Sequence, residues 1–361
     1  MKKNRKIGWI VGYLVCLVFI SVGTSCAHTA RLVDESGNPL ALAVDSREKI
    51  DLNGTKQRIY IAGASEDNPV ILWLDGGPGG SEVGWVRTYL APLHEQFTIV
   101  CWDQRGTAGS YAAAKDGLLV EQYVQDVISL SNYLADRFNQ EKIVLMGHSW
   151  GSVIGLLAAQ ENPGLFHAYI GAGQQINSIE NDTLGWQMVL KGARASEDHK
   201  TVALMEKIGR PPYLKTLEDG SVVPDGQKYF EVLSRLFEFS PHAPADASFR
   251  SEKMFLAPEH SFADRINLVR GLLRGVKEVY PQLAYLDFEK DVKRLDCPLF
   301  LVNGRYDMSC VSTIAERWFN TVEAPYKELL WLEESGHNGV YTESKKFMEF
   351  MTEKVLPLAT T

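Results

Sequence analysis

The stretch that most constrains this chain is VLMGHSWGSVIG, residues 144–155. It places Ser149 between Gly147 and Gly151, after an apolar strand-like run and before a helix-like run. Glycine is unfavourable inside either element, so two glycines around one hydroxyl indicate a backbone turn too tight for a Cβ atom. Such a turn would expose Ser149 at the positive end of the following helix. The stretch therefore predicts a strained nucleophile elbow.

Further runs along the chain are almost continuously apolar, which is typical of parallel strands covered on both faces. The runs are KQRIYIAG, PVILWLDGGPGG, FTIVCWDQRG, KIVLMGHSWG, AYIGAGQ, CPLFLVNGRYD and YKELLWLEESGH. Segments with helical periodicity, such as 121–138, separate them. Strands that alternate with helices predict an α/β protein with a mostly parallel, doubly wound sheet.

The alternation stops in the middle of the chain, where helical stretches surround the Pro/Gly-rich run RPPYLKTLEDGSVVPDGQ. We predict a helical cap at 175–295, inserted between a first part of the core at 49–174 and a second part at 296–361. Residues 28–48 are polar and are predicted to form an irregular linker.

The N-terminus has the pattern of an export signal or a membrane anchor at 1–27. Four cations in MKKNRK precede 21 uncharged residues, 7–27. The segment could remain as a transmembrane helix, be cleaved near Ala27 or Ala30, or carry a lipid on Cys26. We therefore expect the protein to be tethered to the outer face of the cytoplasmic membrane, as an anchored protein or a lipoprotein, or else to be secreted. Membrane contact is predicted only for this segment.

Charge and cysteine content exclude several other classes of function. The net charge is -8, and no Lys/Arg run occurs beyond the first six residues, so no nucleic-acid partner is predicted. Neither CxxC nor HExxH occurs, and we predict neither a metal nor a cofactor. Cys297 and Cys310 flank a strand-like run, and the sequence leaves open whether they pair. It also leaves the oligomeric state open.

A serine nucleophile needs a base to take its proton and a third group to orient that base. Asp307 follows the late apolar run LFLVNG, and His337 follows the next run, in SGHNG. The chain order Ser149, Asp307, His337 is the order of the triad in α/β-hydrolases. These three residues are the predicted catalytic set.

Acyl transfer also needs two backbone N–H groups that stabilise the developing oxyanion. The residue after the nucleophile, Trp150, supplies one of them. The loop DGGPGG after an earlier strand supplies the other, and Gly77 is its expected donor, with Pro78 restricting the loop.

Taken together, these motifs resemble the proline iminopeptidase branch of the α/β-hydrolases. The resemblance extends from about Lys49 to Leu356 and rests on GGPGG, DQRG, GHSWGS, GRYD and SGHN. It implies the same triad and oxyanion donors, and it implies that Asp103 and Arg105 organise loops near the site.

The resemblance also carries expectations about the substrate. Family members remove an N-terminal residue, often proline, from short peptides, and they bind the free amine with carboxylates of the cap. The candidates for that role are left open among Glu180, Glu197, Glu206 and Glu231. Asp75 replaces the histidine of the family's HGGPG, so its carboxylate is expected either to be hydrogen-bonded away from the oxyanion or to weaken the oxyanion hole.

The sequence therefore predicts a serine hydrolase that forms an acyl-enzyme on a small peptide or ester. An aminopeptidase of the proline iminopeptidase type is the leading interpretation. A carboxylesterase or amide hydrolase with the same machinery is the second. A non-catalytic binding protein on the same fold is the third.

Overall fold

A computed structural model describes residues 27–34, 36–115 and 117–360. Except for Ala27, the predicted export signal or anchor lies outside these residues. Among the helices that the structure describes, none combines the length and apolarity needed to cross a bilayer.

Eight strands form one sheet in the order β1-β2-β4-β3-β5-β6-β9-β10. β1 and β2 pair antiparallel, as do β2 and β4, and the other neighbours are parallel. A separate antiparallel hairpin joins β7 to β8. The strands are β1 (Val44–Leu52), β2 (Thr55–Gly63), β3 (Val70–Leu74), β4 (Thr98–Asp103), β5 (Ile143–His148), β6 (Phe166–Ala172), β7 (Leu214–Thr216), β8 (Val222–Pro224), β9 (Leu299–Gly304) and β10 (Lys327–Leu332).

Helices cover both faces of the sheet and, together with the β7–β8 hairpin, make up the segment between β6 and β9. The α-helices are α1 (Val83–Tyr89), α2 (Val120–Arg137), α3 (Trp150–Glu161), α4 (Ser178–Ala195), α5 (His199–Ile208), α6 (Gly226–Phe239), α7 (Glu252–Phe255), α8 (Phe262–Leu283), α9 (Phe288–Asp291), α10 (Ser312–Thr321), α11 (Gly339–Thr342), α12 (Ser344–Phe350) and α13 (Leu356–Ala359). Short 3₁₀ helices and one π-helical turn join them, at Ala91–Glu95, Ala108–Ala113, Pro163–Leu165, Pro244–Ser248 and Met351–Val355.

The predicted fold class, an α/β-hydrolase fold with a mostly parallel doubly wound sheet, is confirmed. Strands β3, β4, β5 and β9 are buried at every position. Successive side chains alternate between two apolar clusters: Leu72 and Leu145 pack on one face, and Ile71 and Met146 pack on the other. Burial on both faces explains why these runs lack a polar alternation.

The structure differs from the sequence-based expectations at two places outside the core strands. The predicted linker 28–48 ends in ordered structure, because β1 begins at Val44 and pairs with β2 from its first residue. The Pro/Gly-rich interruption contains the hairpin β7–β8. The question of a disulfide is also answered, since Cys297 and Cys310 are both free and buried.

Candidate active site

Ser149 occupies a strained turn between β5 and α3. Its backbone angles, φ 54° and ψ −119°, lie outside the favourable regions for a side-chain-bearing residue. The flanking glycines explain how the turn closes. A Cβ atom on Gly147 would lie 2.4 Å from the carbonyl oxygen of Gly151, and one on Gly151 would lie 2.0 Å from that of Leu74. The sequence pattern is thus a steric requirement of this turn.

The three residues predicted as a catalytic set meet at one edge of the sheet. Nε2 of His337 lies 2.9 Å from Oγ of Ser149, and Nδ1 of His337 lies 2.8 Å from Oδ2 of Asp307. Both distances are those of hydrogen bonds. The Asp307 side chain is 1% exposed and that of His337 is 17% exposed, so solvent reaches the base while the acid is enclosed.

The loop after β9 fixes the orientation of Asp307. Its second oxygen, Oδ1, accepts hydrogen bonds from the backbone N–H groups of Ser309 and Cys310, at 2.8 and 3.0 Å. Asn181 of α4 holds the same loop, because its amide donates to the Ser309 carbonyl and its oxygen accepts from the Val311 N–H. No sequence pattern indicates this role for Asn181.

The predicted oxyanion donors lie in the loop between β3 and α1 and at the first residue of α3. A Cβ atom on Gly76 would lie 3.2 Å from that of Ser149, so the loop packs directly against the serine. Among the described residues, neither the Gly77 N–H nor the Trp150 N–H donates a hydrogen bond. Both donors are thus available to an oxyanion, which is what the predicted role requires.

Helix α8 of the inserted segment covers this loop at backbone contact distance. A Cβ atom on Gly79 would lie 2.3 Å from the Gly271 carbonyl oxygen, and one on Gly275 would lie 2.4 Å from that of Pro78. The glycines on both sides allow a close approach that side chains would prevent. Helix α8 therefore covers the loop that packs against the serine.

Asp75 is buried behind the loop, and the first of the two expectations for it, a hydrogen-bonded carboxylate, is not met among the described residues. No hydrogen bond of good geometry from the described residues reaches either of its carboxyl oxygens. Burial raises the pKa of Asp75 well above its usual range, and the nearby Glu82 carboxylate raises it further. Both effects favour the neutral form of Asp75.

Asp103 and Arg105 organise loops, as the resemblance implied. Asp103 accepts hydrogen bonds from the Ser81 and Tyr60 hydroxyls, at 2.7 and 2.8 Å. Arg105 forms a buried ion pair with Asp126 at 3.0 Å. None of these interactions involves Ser149 or His337.

The four glutamates considered for amine binding lie elsewhere on the inserted segment. Glu180 pairs with Arg317, and Glu206 pairs with Arg194, in partly exposed ion pairs. Glu231 accepts a hydrogen bond from Gln227 on the outside of α6, and Glu197 is exposed after α4. None of the four lines the small cavity next to the Asp307 loop.

That cavity is instead lined by Asp182, which the sequence reasoning missed. The cavity has a volume of about 20 Å³, and Ser309 of the Asp307 loop forms part of its wall together with Tyr213 and Tyr229. The Asp182 carboxylate accepts a hydrogen bond from the Tyr280 hydroxyl at 2.6 Å. Burial raises the pKa of Asp182 to about 7. The signal in the sequence was a carboxylate on the apolar face of α4, in line with the buried Trp186.

A second carboxylate of the inserted segment, Asp246, lies beside the proposed base. Its Oδ1 is 3.3 Å from the N–H of Gly336, the residue before His337. Asp246 is only half-buried, and burial raises its pKa above the usual value.

Comparisons with known proteins agree with this architecture. A profile of the alpha/beta hydrolase fold matches residues 69–191. The chain is 26% identical over 302 residues to the "Probable aminopeptidase YbaC" of Bacillus subtilis, covering 83% of this chain and 93% of that protein. It is 26% identical to the "Probable proline iminopeptidase" of Leptolyngbya boryana, covering 77% of this chain and 84% of that protein.

A solved structure gives the same result at the level of the fold. The proline iminopeptidase of Mycobacterium smegmatis superposes with a TM-score of 0.55 at 12% identity, covering 87% of this chain and 99% of that one. The sheet order, the elbow and the comparisons point the same way: the chain has the α/β-hydrolase fold, and it is proline iminopeptidase-like.

Proposed function

We propose that the protein is a serine hydrolase in which Ser149 is the nucleophile, His337 the general base and Asp307 the group that orients it. The single observation that carries this proposal is the continuous hydrogen-bonded chain from Asp307 through His337 to Ser149. The two unused N–H groups beside Ser149 add the second requirement of acyl transfer.

We assign each step of the proposed reaction to an atom. Nδ1 of His337 donates to the Asp307 carboxylate, which leaves Nε2 unprotonated and facing the serine hydroxyl. His337 takes the hydroxyl proton as Oγ attacks the substrate carbonyl, and Gly77 and Trp150 stabilise the oxyanion. The same proton passes to the leaving amine or alcohol as its bond to the carbonyl carbon breaks. Water, activated by His337, then releases the acyl group and restores Ser149.

The cavity at Asp182 supports a proposal for the substrate class. A buried carboxylate next to Tyr213 and the stacked pair Tyr229–Tyr280, whose ring centroids are 3.8 Å apart, offers a cation both charge and aromatic surface. The cavity volume suits a group the size of a water molecule or an ammonium. We therefore propose that Asp182 binds the free α-amine of a short peptide, as expected of an aminopeptidase. The names of the Bacillus subtilis and Leptolyngbya boryana relatives support this class.

A panel of chromogenic substrates tests the proposed class. We expect prolyl and leucyl arylamides with a free amine to be hydrolysed with a higher kcat/KM than their N-acetyl counterparts and than p-nitrophenyl alkanoate esters. A preference for the esters would identify a carboxylesterase instead. If protein whose folding is verified by circular dichroism hydrolyses none of these substrates, the result would favour a non-catalytic binding protein.

Replacing Asp182 by asparagine tests the amine site directly. We expect Asp182→Asn to raise KM for a free-amine arylamide by about 10- to 100-fold, because a charge-assisted bond to the ammonium is lost. kcat/KM for a p-nitrophenyl ester should change less than about threefold. The matched control is Glu180→Gln, on the same helix but paired with Arg317, and it should leave both values unchanged. Equal losses on amine and ester substrates in Asp182→Asn would contradict the assignment.

A further inference from the structure

A buried chain of polar groups lies directly behind the proposed base and the oxyanion loop. Its members His148, the residue before Ser149, and Glu82 are 2% and 1% exposed. Nδ1 of His148 lies 2.7 Å from Oε1 of Glu82, and Nε2 of His148 lies 3.0 Å from the backbone carbonyl oxygen of His337. The ring centroids of His148 and His337 are 5.1 Å apart.

The partners of these groups determine where the protons are. A carbonyl oxygen only accepts, so Nε2 of His148 carries a hydrogen. Glu82 accepts from the Gly76 backbone N–H and from the Trp73 indole N–H, each at 3.0 Å, and its Oε2 lies 2.6 Å from the Tyr341 hydroxyl. With His148, these partners fill the lone-pair directions of an ionised carboxylate, which leaves Nδ1 of His148 as a donor too.

The electrostatic environment agrees with an imidazolium and a carboxylate. Burial alone would lower the pKa of His148, but the Glu82 carboxylate raises it above the usual value. Burial alone would raise the pKa of Glu82, but His148 and the hydrogen-bond donors bring it below the usual value. A buried ion pair is stable only when its remaining hydrogen-bonding groups are satisfied, and here both nitrogens and both oxygens are.

We propose that His148, held as an imidazolium by Glu82, is a positioning residue that fixes the base and the oxyanion loop relative to the nucleophile. The pair joins three loops that follow different strands. His148 is covalently next to Ser149, it donates to the main chain of His337, and Glu82 holds the Gly76 N–H of the oxyanion loop. The inference rests on the proposed roles of Ser149 and His337, and it does not depend on the substrate class.

Two substitutions at position 148 separate its two hydrogen bonds. In His148→Asn the amide nitrogen replaces Nδ1, so the bond to Glu82 is kept and the bond to His337 is lost. In His148→Gln the amide nitrogen replaces Nε2, so the bond to His337 is kept. Both variants remove the positive charge, and Glu82 loses its ionic partner in each. His148→Gln also loses the bond to the Glu82 carboxylate, so it should be the less stable of the two variants. A lower kcat in His148→Asn therefore reports the link to the base and not a loss of stability.

We expect His148→Asn to lower kcat for a p-nitrophenyl ester by about 100-fold with KM nearly unchanged, since a small misplacement of a catalytic group has an effect of this order. His148→Gln should retain a kcat at least about 10-fold higher than that of His148→Asn. Rates are normalised to active sites counted with a fluorophosphonate probe. Equal kcat in the two variants, or wild-type kcat in both, would overturn the proposal.

A further test uses the wild-type protein, so it does not depend on whether variants at position 148 fold. In a sample with ¹⁵N-labelled histidine, both ring nitrogens of His148 should have the shifts of an imidazolium at neutral pH. Tyr341→Phe, which removes one donor to Glu82, identifies the resonances by the shift that it causes. A neutral ring would overturn the proposal. Failure of wild-type protein to react with the fluorophosphonate would instead refute the proposed role of Ser149.

Discussion

Replacing Ser149 by alanine is expected to lower kcat/KM on the preferred arylamide by about 10³-fold or more, the order seen when a catalytic triad loses its nucleophile. The hydroxyl is the atom at which the hydrogen-bonded chain from Asp307 and His337 ends. Alanine fits the same turn, because the steric limits there concern Gly147 and Gly151. Circular dichroism and thermal unfolding should therefore match the wild type.

The control for this variant is Ser234→Ala, on the exposed side of α6, which should keep full activity. Reaction with a fluorophosphonate gives an independent measurement, since wild-type protein and the control should be labelled and Ser149→Ala should not. Activity of Ser149→Ala within tenfold of the wild type would show that another residue is the nucleophile.

The architecture of the core could be predicted because its signals are local in the sequence. Fully buried parallel strands appear as apolar runs, and their loops converge at one edge whatever the connecting segments do. Ser149 and Asp307 follow such runs, and His337 follows the apolar but only partly buried edge strand β10. Their positions could therefore be inferred without knowing any side-chain contact.

The inserted segment offered no comparable rule. Its helices pack on one another through an apolar cluster that includes Trp186 and Tyr280, and periodicity does not say which polar residue on such a face points into a cavity. Exposed glutamates such as Glu180 looked equivalent to Asp182 in the sequence, whereas the packing of three tyrosines around Asp182 sets it apart.

The support of the site was also hidden for a physical reason. Glu82 and His148 are 66 residues apart in the sequence. Their other partners include the Gly76 N–H, the His337 carbonyl and the Tyr341 hydroxyl, which other parts of the chain supply. The same holds for Asp75, where the sequence showed a carboxylate near the oxyanion but not the rise in its pKa. That rise comes from burial and from the charge of Glu82, which only the packed structure reveals.

Replacing Asp307 by asparagine is expected to lower kcat by about 10⁴-fold, the largest effect of a near-isosteric change in this site. The reason lies in the second carboxylate oxygen, which accepts the N–H groups of Ser309 and Cys310. An asparagine must place its oxygen there, because its amino group would face two donors. The amino group then faces His337, and Nδ1 of His337 must accept a hydrogen bond. The hydrogen of the ring is forced onto Nε2, which can no longer take the proton of Ser149.

Several measurements separate this tautomer effect from simple loss of structure. Asp307→Asn should retain KM within a few-fold and a near-native unfolding temperature, since the loop bonds at Oδ1 persist. Asp296→Asn, an exposed carboxylate before β9 that pairs with Arg294, is the matched control and should keep wild-type kcat. Asp307→Ala removes the bonds to the loop as well, so it should lower the unfolding temperature more than Asp307→Asn. A kcat for Asp307→Asn within tenfold of the wild type would show that His337 does not depend on Asp307 for its tautomer, and the proposed division of roles would then be wrong.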